Sequence, residues 1–262
     1  MMPRSIARGL LLVTLSMLIL TACQPKETED ASTPTEPAPP QQTDAPSETK
    51  NATLIDRGIF LDPAKTEDPD SLLVSRNLYE GLVKLDDNGE IQPGIAQSWE
   101  VSDDQLDYIF EIRPDARFSD GSAVTTDVIA DNFNRWFDPK SAFHGDGNYP
   151  TWLKIFLAFN GERDAEDRAV SQVDGVQKVD SNTFIIHLNR PEPELLNYIA
   201  QPAFAILSPT ALTNSNYGTR ESTIISSGPY VITSWTDEEL VLSPNPSYWD
   251  ATEGEDINFA WK

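Results

Sequence analysis

The chain has 262 residues, 42 Asp and Glu against 19 Lys and Arg, and a formal net charge of −23. So acidic a chain repels phosphate backbones and anionic bilayers, which excludes nucleic acid as a partner and electrostatic docking on a membrane. Apolar residues are 39% and six tryptophans are present, so most of the length can build a core; one Cys and two His (His144 and His187) leave no disulfide and no Cys- or His-rich metal centre.

Arg4 and Arg8 precede an apolar run at 9–20. At 1.5 Å per residue this run reaches only ~18 Å, short of the ~30 Å hydrocarbon core, so residues 1–22 read as a signal peptide. Leu20-Thr21-Ala22-Cys23 follows, and it resembles a bacterial lipobox. Cys23 is therefore the expected lipidation site and would anchor the chain to a membrane of the cell envelope or periplasm through its acyl chains. Residues 23–52 hold six prolines and no aromatic residue. They read as a lipidated, disordered, Pro-rich tether.

The folded part begins with a strand predicted over 54–61, ended by Asp62-Pro63. Asp70-Ser71 offers an N-cap to a helix with Val74, Leu78 and Leu82 on one face and Gly81 as its C-cap. Asp86-Asp87-Asn88-Gly89 turns one predicted hairpin, Ser102-Asp103-Asp104 a second, and Tyr108, Phe110 and Ile112 alternate with polar residues. Thr125 or Thr126 caps the clearest helix, whose stripe runs through Val128, Ile129, Asn132, Phe133, Trp136 and Phe137. A hairpin at 173–188, a helix at 193–200, a helix opened by Ser208-Pro209, a hairpin at 229–243 and a final strand at 256–262 complete the chain. Helices and strands intermix, so the class is mixed α/β or α+β. No nucleophile elbow, phosphate loop, HExxH or dinucleotide fingerprint occurs, and carboxylates are too abundant for any pair to signify. The sequence reads as a non-enzyme without a cofactor.

Several stretches resemble the family 5 extracellular solute-binding proteins, the dipeptide- and oligopeptide-binding lipoproteins of ABC importers. They are Leu61-Asp62-Pro63, residues 77–83 (NLYEGLV), residues 87–100 (DNGEIQPGIAQSWE), Phe110 to Arg113, Phe118-Ser119-Asp120-Gly121 with residues 124–128, Ser227-Gly228-Pro229-Tyr230, and Asn245-Pro246-Ser247-Tyr248-Trp249. These are scaffold motifs: Gly89, Gly121 and Pro93 as turn formers, Trp99 and Phe118 as core plugs, Trp249 at a hairpin edge. They speak to fold more than to substrate.

The resemblance implies one lobe of a type II periplasmic-binding-protein clam-shell. Residues 53–82 and 190–262 would form the first-lobe core and 83–189 an inserted subdomain. The sequence ends where relatives cross into their second lobe, which is expected to be absent, and with it the acidic anchor for a peptide amino terminus. Ile224-Ile225-Ser226-Ser227 departs from the family's Gly-Thr pair. The implied function is capture of an extracytoplasmic peptide or similar small solute and its delivery to ABC permease subunits. Nickel, haem, opine or oligosaccharide ligands, or a surface lipoprotein that does not transport, are the alternatives. Candidate ligand residues are Gly58, Ile59 and Phe60 in the strand read at 57–60, Phe143 and Tyr149 in the loop 141–149, and Gly228 and Tyr230 in the turn 227–230. A lone lobe is expected to bind solute weakly, because it cannot bury most of a ligand.

Overall fold

The computed structural model describes residues 52–250 and 254–262. The signal peptide, Cys23 and all of the tether but Ala52 lie outside the described residues. β1 (Thr53–Ile55) is shorter than expected. Residues 57–60 are not in a strand, because their backbone goes elsewhere: Phe60 N–H donates to Ser71 Oγ (3.0 Å) and Leu61 N–H to the Gly218 carbonyl (2.8 Å).

α1 (Pro69–Leu78) starts two residues before the expected cap. Asp68 accepts from Ser71 N–H (2.7 Å) and Pro69 takes the first helical position, whereas Asp70 accepts from Asp56 N–H. The helix also stops before Gly81. The carbonyls of Glu80 and Gly81 accept from Ile206 and Ile95, so this stretch is committed to long-range pairing.

β2 (Val83–Leu85) and β3 (Ile91–Pro93) form the hairpin about Gly89, which sits at φ +80°. Pro93 is not a turn residue; it lies in β3 opposite Val83. β4 (Ala96–Val101), β5 (Asp107–Ile112), β6 (Val173–Lys178) and β7 (Thr183–Leu188) make an antiparallel sheet in the order β4-β5-β7-β6. Tyr108, Phe110 and Ile112 of β5 and Phe184, Ile186 and Leu188 of β7 share its buried face. α2 (Thr126–Phe137), capped by the Thr125 hydroxyl, covers that face, and α3 (Pro150–Phe156) follows it. Both edge strands carry register irregularities, near Ser98 and Gly175, which blunt them against further pairing. Phe118 is fully buried as a core plug should be, but Trp99 lies on edge strand β4 and is only half-buried.

α4 (Leu195–Ile199) and α5 (Pro209–Thr213), the latter capped by Ser208, lead to β8 (Tyr230–Trp235), β9 (Glu239–Pro244) and β10 (Ile257–Trp261). These join β1 in a second sheet of order β1-β10-β9-β8, in which β1 and β10 run parallel. The architecture is the expected mixture of helices and sheets. Two hydrophobic cores result. The first gathers Phe110, Phe118, Ile129, Phe133, Trp136, Trp152 and Phe184; the second gathers Ile55, Leu61, Val74, Leu78, Leu240, Leu242 and Phe259.

Candidate functional site

The residues after β1 enter a buried polar node. Asp62 is 3% exposed and Arg135, on the apolar stripe of α2, is 5% exposed. The guanidinium grips the carboxylate with two nitrogens, Nη1 at 3.2 Å from Oδ1 and Nη2 on Oδ2. Burial alone would lower the Arg135 pKa, but the facing Asp62 charge and its hydrogen bonds outweigh it and hold the guanidinium above its ordinary pKa. The Tyr149 ring lies under Arg135, 5.4 Å from its central carbon, with Lys65 on the same ring at 5.8 Å. Burial pushes the Tyr149 phenol up to about 12, although Arg135 opposes the rise. It therefore stays protonated and donates to the His144 carbonyl at 2.7 Å. His144 Nδ1 faces the Arg135 carbonyl at 2.9 Å, and since a carbonyl only accepts, Nδ1 carries the proton. Lys65 closes the loop by an ion pair to Asp146 at 2.8 Å.

A second node lies beside the first. Tyr79 OH donates to the Leu61 carbonyl (3.0 Å), so its contact with Tyr217 OH (2.9 Å) has Tyr217 as donor. Burial raises both phenols. Nearby, a cavity of about 620 Å³ opens between the end of α1, the β2–β3 hairpin and residues 200–205. Glu80 lines it, buried, with Tyr248 OH donating to Oε2 (2.7 Å) and Lys84 at 3.7 Å. Burial raises the Glu80 pKa, and Lys84, Tyr248 and Arg113 recover only part of that rise.

Each of the three candidate segments borders this frame at a different place. Gly58 is exposed, Ile59 is buried in the second core, and Phe60 is half-buried. Phe143 is half-buried; Tyr149 is buried against Arg135. Gly228 is buried where a Cβ would come within 2.8 Å of the Leu78 and Tyr79 backbone, and its N–H donates to the Leu78 carbonyl at 2.9 Å. Tyr230 opens β8, half-buried, with its carbonyl taken by Ser226 Oγ. None of the seven lines the larger cavity. Asp62, Glu80 and Arg135 were not singled out from sequence as buried charges. The signal was present in two of them: Arg135 sits between Phe133 and Trp136 on an apolar stripe, and Glu80 interrupts an apolar run. Asp62 and Arg135 are satisfied by each other, so this node braces the loops that converge on it.

Two four-stranded sheets, a two-stranded hairpin and two hydrophobic cores, with a buried Asp62–Arg135 pair, make up the frame. The family described as bacterial extracellular solute-binding proteins, family 5 Middle, matches residues 90–259, and the chain belongs to it. Among its relatives are the periplasmic murein peptide-binding protein MppA of Escherichia coli K12 and the periplasmic oligopeptide-binding protein OppA of Salmonella typhimurium LT2. MppA is 32% identical over 201 residues, 75% of this chain and 36% of MppA; OppA is 31% identical over 198 residues, 72% of this chain and 34% of OppA. The chain thus spans about a third of the length of the curated relatives it matches. Among solved structures, HbpA2 from Haemophilus parasuis superposes with TM-score 0.68 at 25% identity, covering 80% of this chain and 42% of HbpA2. The unliganded open form of MppA gives 0.63 at 30% identity, covering 77% and 39%. The family resemblance read from the motifs holds, and with it the mixed α/β fold, which matches 42% and 39% of those two chains.

Proposed function

We propose that this chain is the solute-capturing component of an ABC importer, held at the cell envelope by a lipid on Cys23, taking up a peptide or similar small solute and passing it to permease subunits. The observation that carries this reading is membership of a solute-binding family over residues 90–259, with relatives named for murein peptide and oligopeptide binding. The two cores fit a division into 53–82 with 190–262 and an inserted 83–189 only in part: the second core draws on the first set alone, whereas Ala64, Leu82, α4, Ala203, Phe204 and Ile206 pack in the inserted part's core. Gly58, Phe60, Phe143 and Tyr230 offer surface to a ligand, while Ile59, Tyr149 and Gly228 are buried and serve by holding them in place.

Thermal melts with short peptides at millimolar concentration test the capture, because a ligand that binds only the folded state stabilises it by RT ln(1 + [L]/Kd). A saturable rise in melting temperature is expected; a flat response to every peptide overturns the reading. Metabolic labelling with palmitate tests the anchor: label should enter the wild type and vanish with Cys23→Ser, and label retained in that variant overturns lipidation at this residue.

A further inference from the structure

β1 and β10 are parallel, and Ile55 pairs with Trp261 at their carboxyl ends. In open α/β sheets ligands sit in the crevice outside the carboxyl ends of the strands where strand order reverses; here β1 and β10 are a single parallel pair at the edge of an otherwise antiparallel sheet. At their carboxyl ends the structure has a slot of about 180 Å³. We propose that this slot is a subsite for a carboxylate on an apolar stem, held by Arg57. The inference rests on the solute-binding reading above and names the chemistry of one part of the solute.

The slot's floor is Ile59 and its walls are Trp235 and Trp261. The Trp261 ring is fixed by its Nε1, which donates to the Thr236 carbonyl at 3.2 Å. Arg57 and Arg220 stand at the opening with a single carboxylate, Asp237. Arg220 pairs with Asp237 and is the main reason its carboxyl is held low; Arg57 adds a smaller pull in the same direction. The neighbouring Asp56 and Asp70 are engaged by Lys262, at 3.9 and 3.0 Å. Among the described residues no hydrogen bond or ion pair occupies the Arg57 side chain. Two guanidiniums and one carboxylate leave one positive charge in excess, on a chain whose net charge is −23. A guanidinium fork matches a carboxylate, and the half-buried indoles of Trp235 and Trp261 offer apolar surface to its stem. The volume lies below the roughly 300–1,000 Å³ of a whole-ligand pocket, which suits one group of a larger solute.

The carboxylate has two sources, a peptide's free C-terminus or an acidic side chain. The test titrates trialanine, its C-terminal amide, and N-acetyl-Ala-Glu-Ala-amide into the envelope-delivered chain in detergent, following the indole N–H signals by NMR. Trp235→Phe and Trp261→Phe assign those two signals. At least one acid should shift them with affinity about ten-fold above the neutral amide, and which acid does so identifies the source. Arg57→Gln should reduce that acid to the amide's level without changing the melting temperature, and Arg57→Lys should recover part of the gap. Added salt should narrow it too. Equal affinity for acids and amide, or an unchanged gap in Arg57→Gln, overturns the subsite. If other indoles respond while these two stay silent, solute capture stands and this slot falls. If no peptide moves any signal, both readings fall.

Discussion

Glu80 is a carboxylate at the edge of the larger cavity with little access to water, its side chain only 6% exposed. Its one close charge-stabilising contact is the Tyr248 hydroxyl, and Lys84, farther off at 3.7 Å, is 42% exposed and partly screened. Its pKa in the folded chain is therefore raised above the unfolded value. Such a group contributes stability that is full below the unfolded pKa and is lost as pH rises through the folded pKa. Glu80→Gln removes the ionisation and keeps an acceptor for Tyr248. Its melting temperature should match the wild type near about pH 4 and exceed it near about pH 8. Melts across that range check this; a variant that matches the wild type near about pH 4 and falls below it near about pH 8 would show that the pairing with Lys84 outweighs the burial. At this scale the sequence exposed the local devices: Thr125 and Ser208 as caps, Gly89 and Gly121 at φ +80° and +85°. It did not expose the partners of Asp62 or Glu80, because Arg135 is 73 positions from the one and Tyr248 168 from the other. Nothing in a local pattern encodes such a distance.

Among elements, α3 is the one the sequence concealed. It has seven residues, too few to show a period, and Gly145-Asp146-Gly147 just before it signals only a turn. Trp152 and Phe156, one turn apart, are its buried face. The strand expected over 57–60 failed for the opposite reason: Ile59 and Phe60 suit a strand locally, but Phe60 N–H donates to a serine side chain and the next residue, Leu61, to a distant loop. The hairpins and α2 were legible, since alternation and a four-residue stripe are set within a dozen residues. α3 ends on Leu157, a non-glycine residue at φ +67°, ψ −25°, with its side chain 63% exposed. A left-handed C-cap there suits glycine, and a side chain in that region costs roughly 1–2 kcal/mol. Leu157→Gly should therefore stabilise the chain by about 1 kcal/mol, part of the relief being offset by the freedom glycine gains when unfolded. The denaturant midpoint reads this directly. A fall in the midpoint at unchanged slope would mean that the exposed side chain packs on something that matters more than the strain.

For the whole molecule, the question is whether two cores melt as one. Residues 204–207 decide it. Phe204, the last residue of a short 3-10 turn, and Ile206 belong to the first core, Ala205 and Leu207 to the second, so successive side chains turn into opposite cores. Its backbone is tied on both sides as well. Ile206 N–H donates to the Glu80 carbonyl (2.9 Å), the Ile206 carbonyl accepts from Ser227 Oγ (2.7 Å), and Asn132 of α2 accepts from Leu207 N–H (3.0 Å). Asn132 also donates to the Leu207 carbonyl at 2.9 Å, so a fully buried side chain from the first core holds a residue of the second. Unfolding either core would strand these buried polar groups and leave apolar surface of the other open to water. Both should therefore be lost in one transition. Trp136 and Trp152 report the first core, and Trp235 and Trp261 the second, through Phe substitutions that leave one pair fluorescent at a time. Their melting curves should coincide. Asn132→Ala should lower both midpoints together by roughly 1–3 kcal/mol of stability, the penalty for leaving the Leu207 groups unsatisfied in a buried place. Two separated transitions, or a variant that moves only the first, would mean that the cores are independent and that the shared segment merely passes between them.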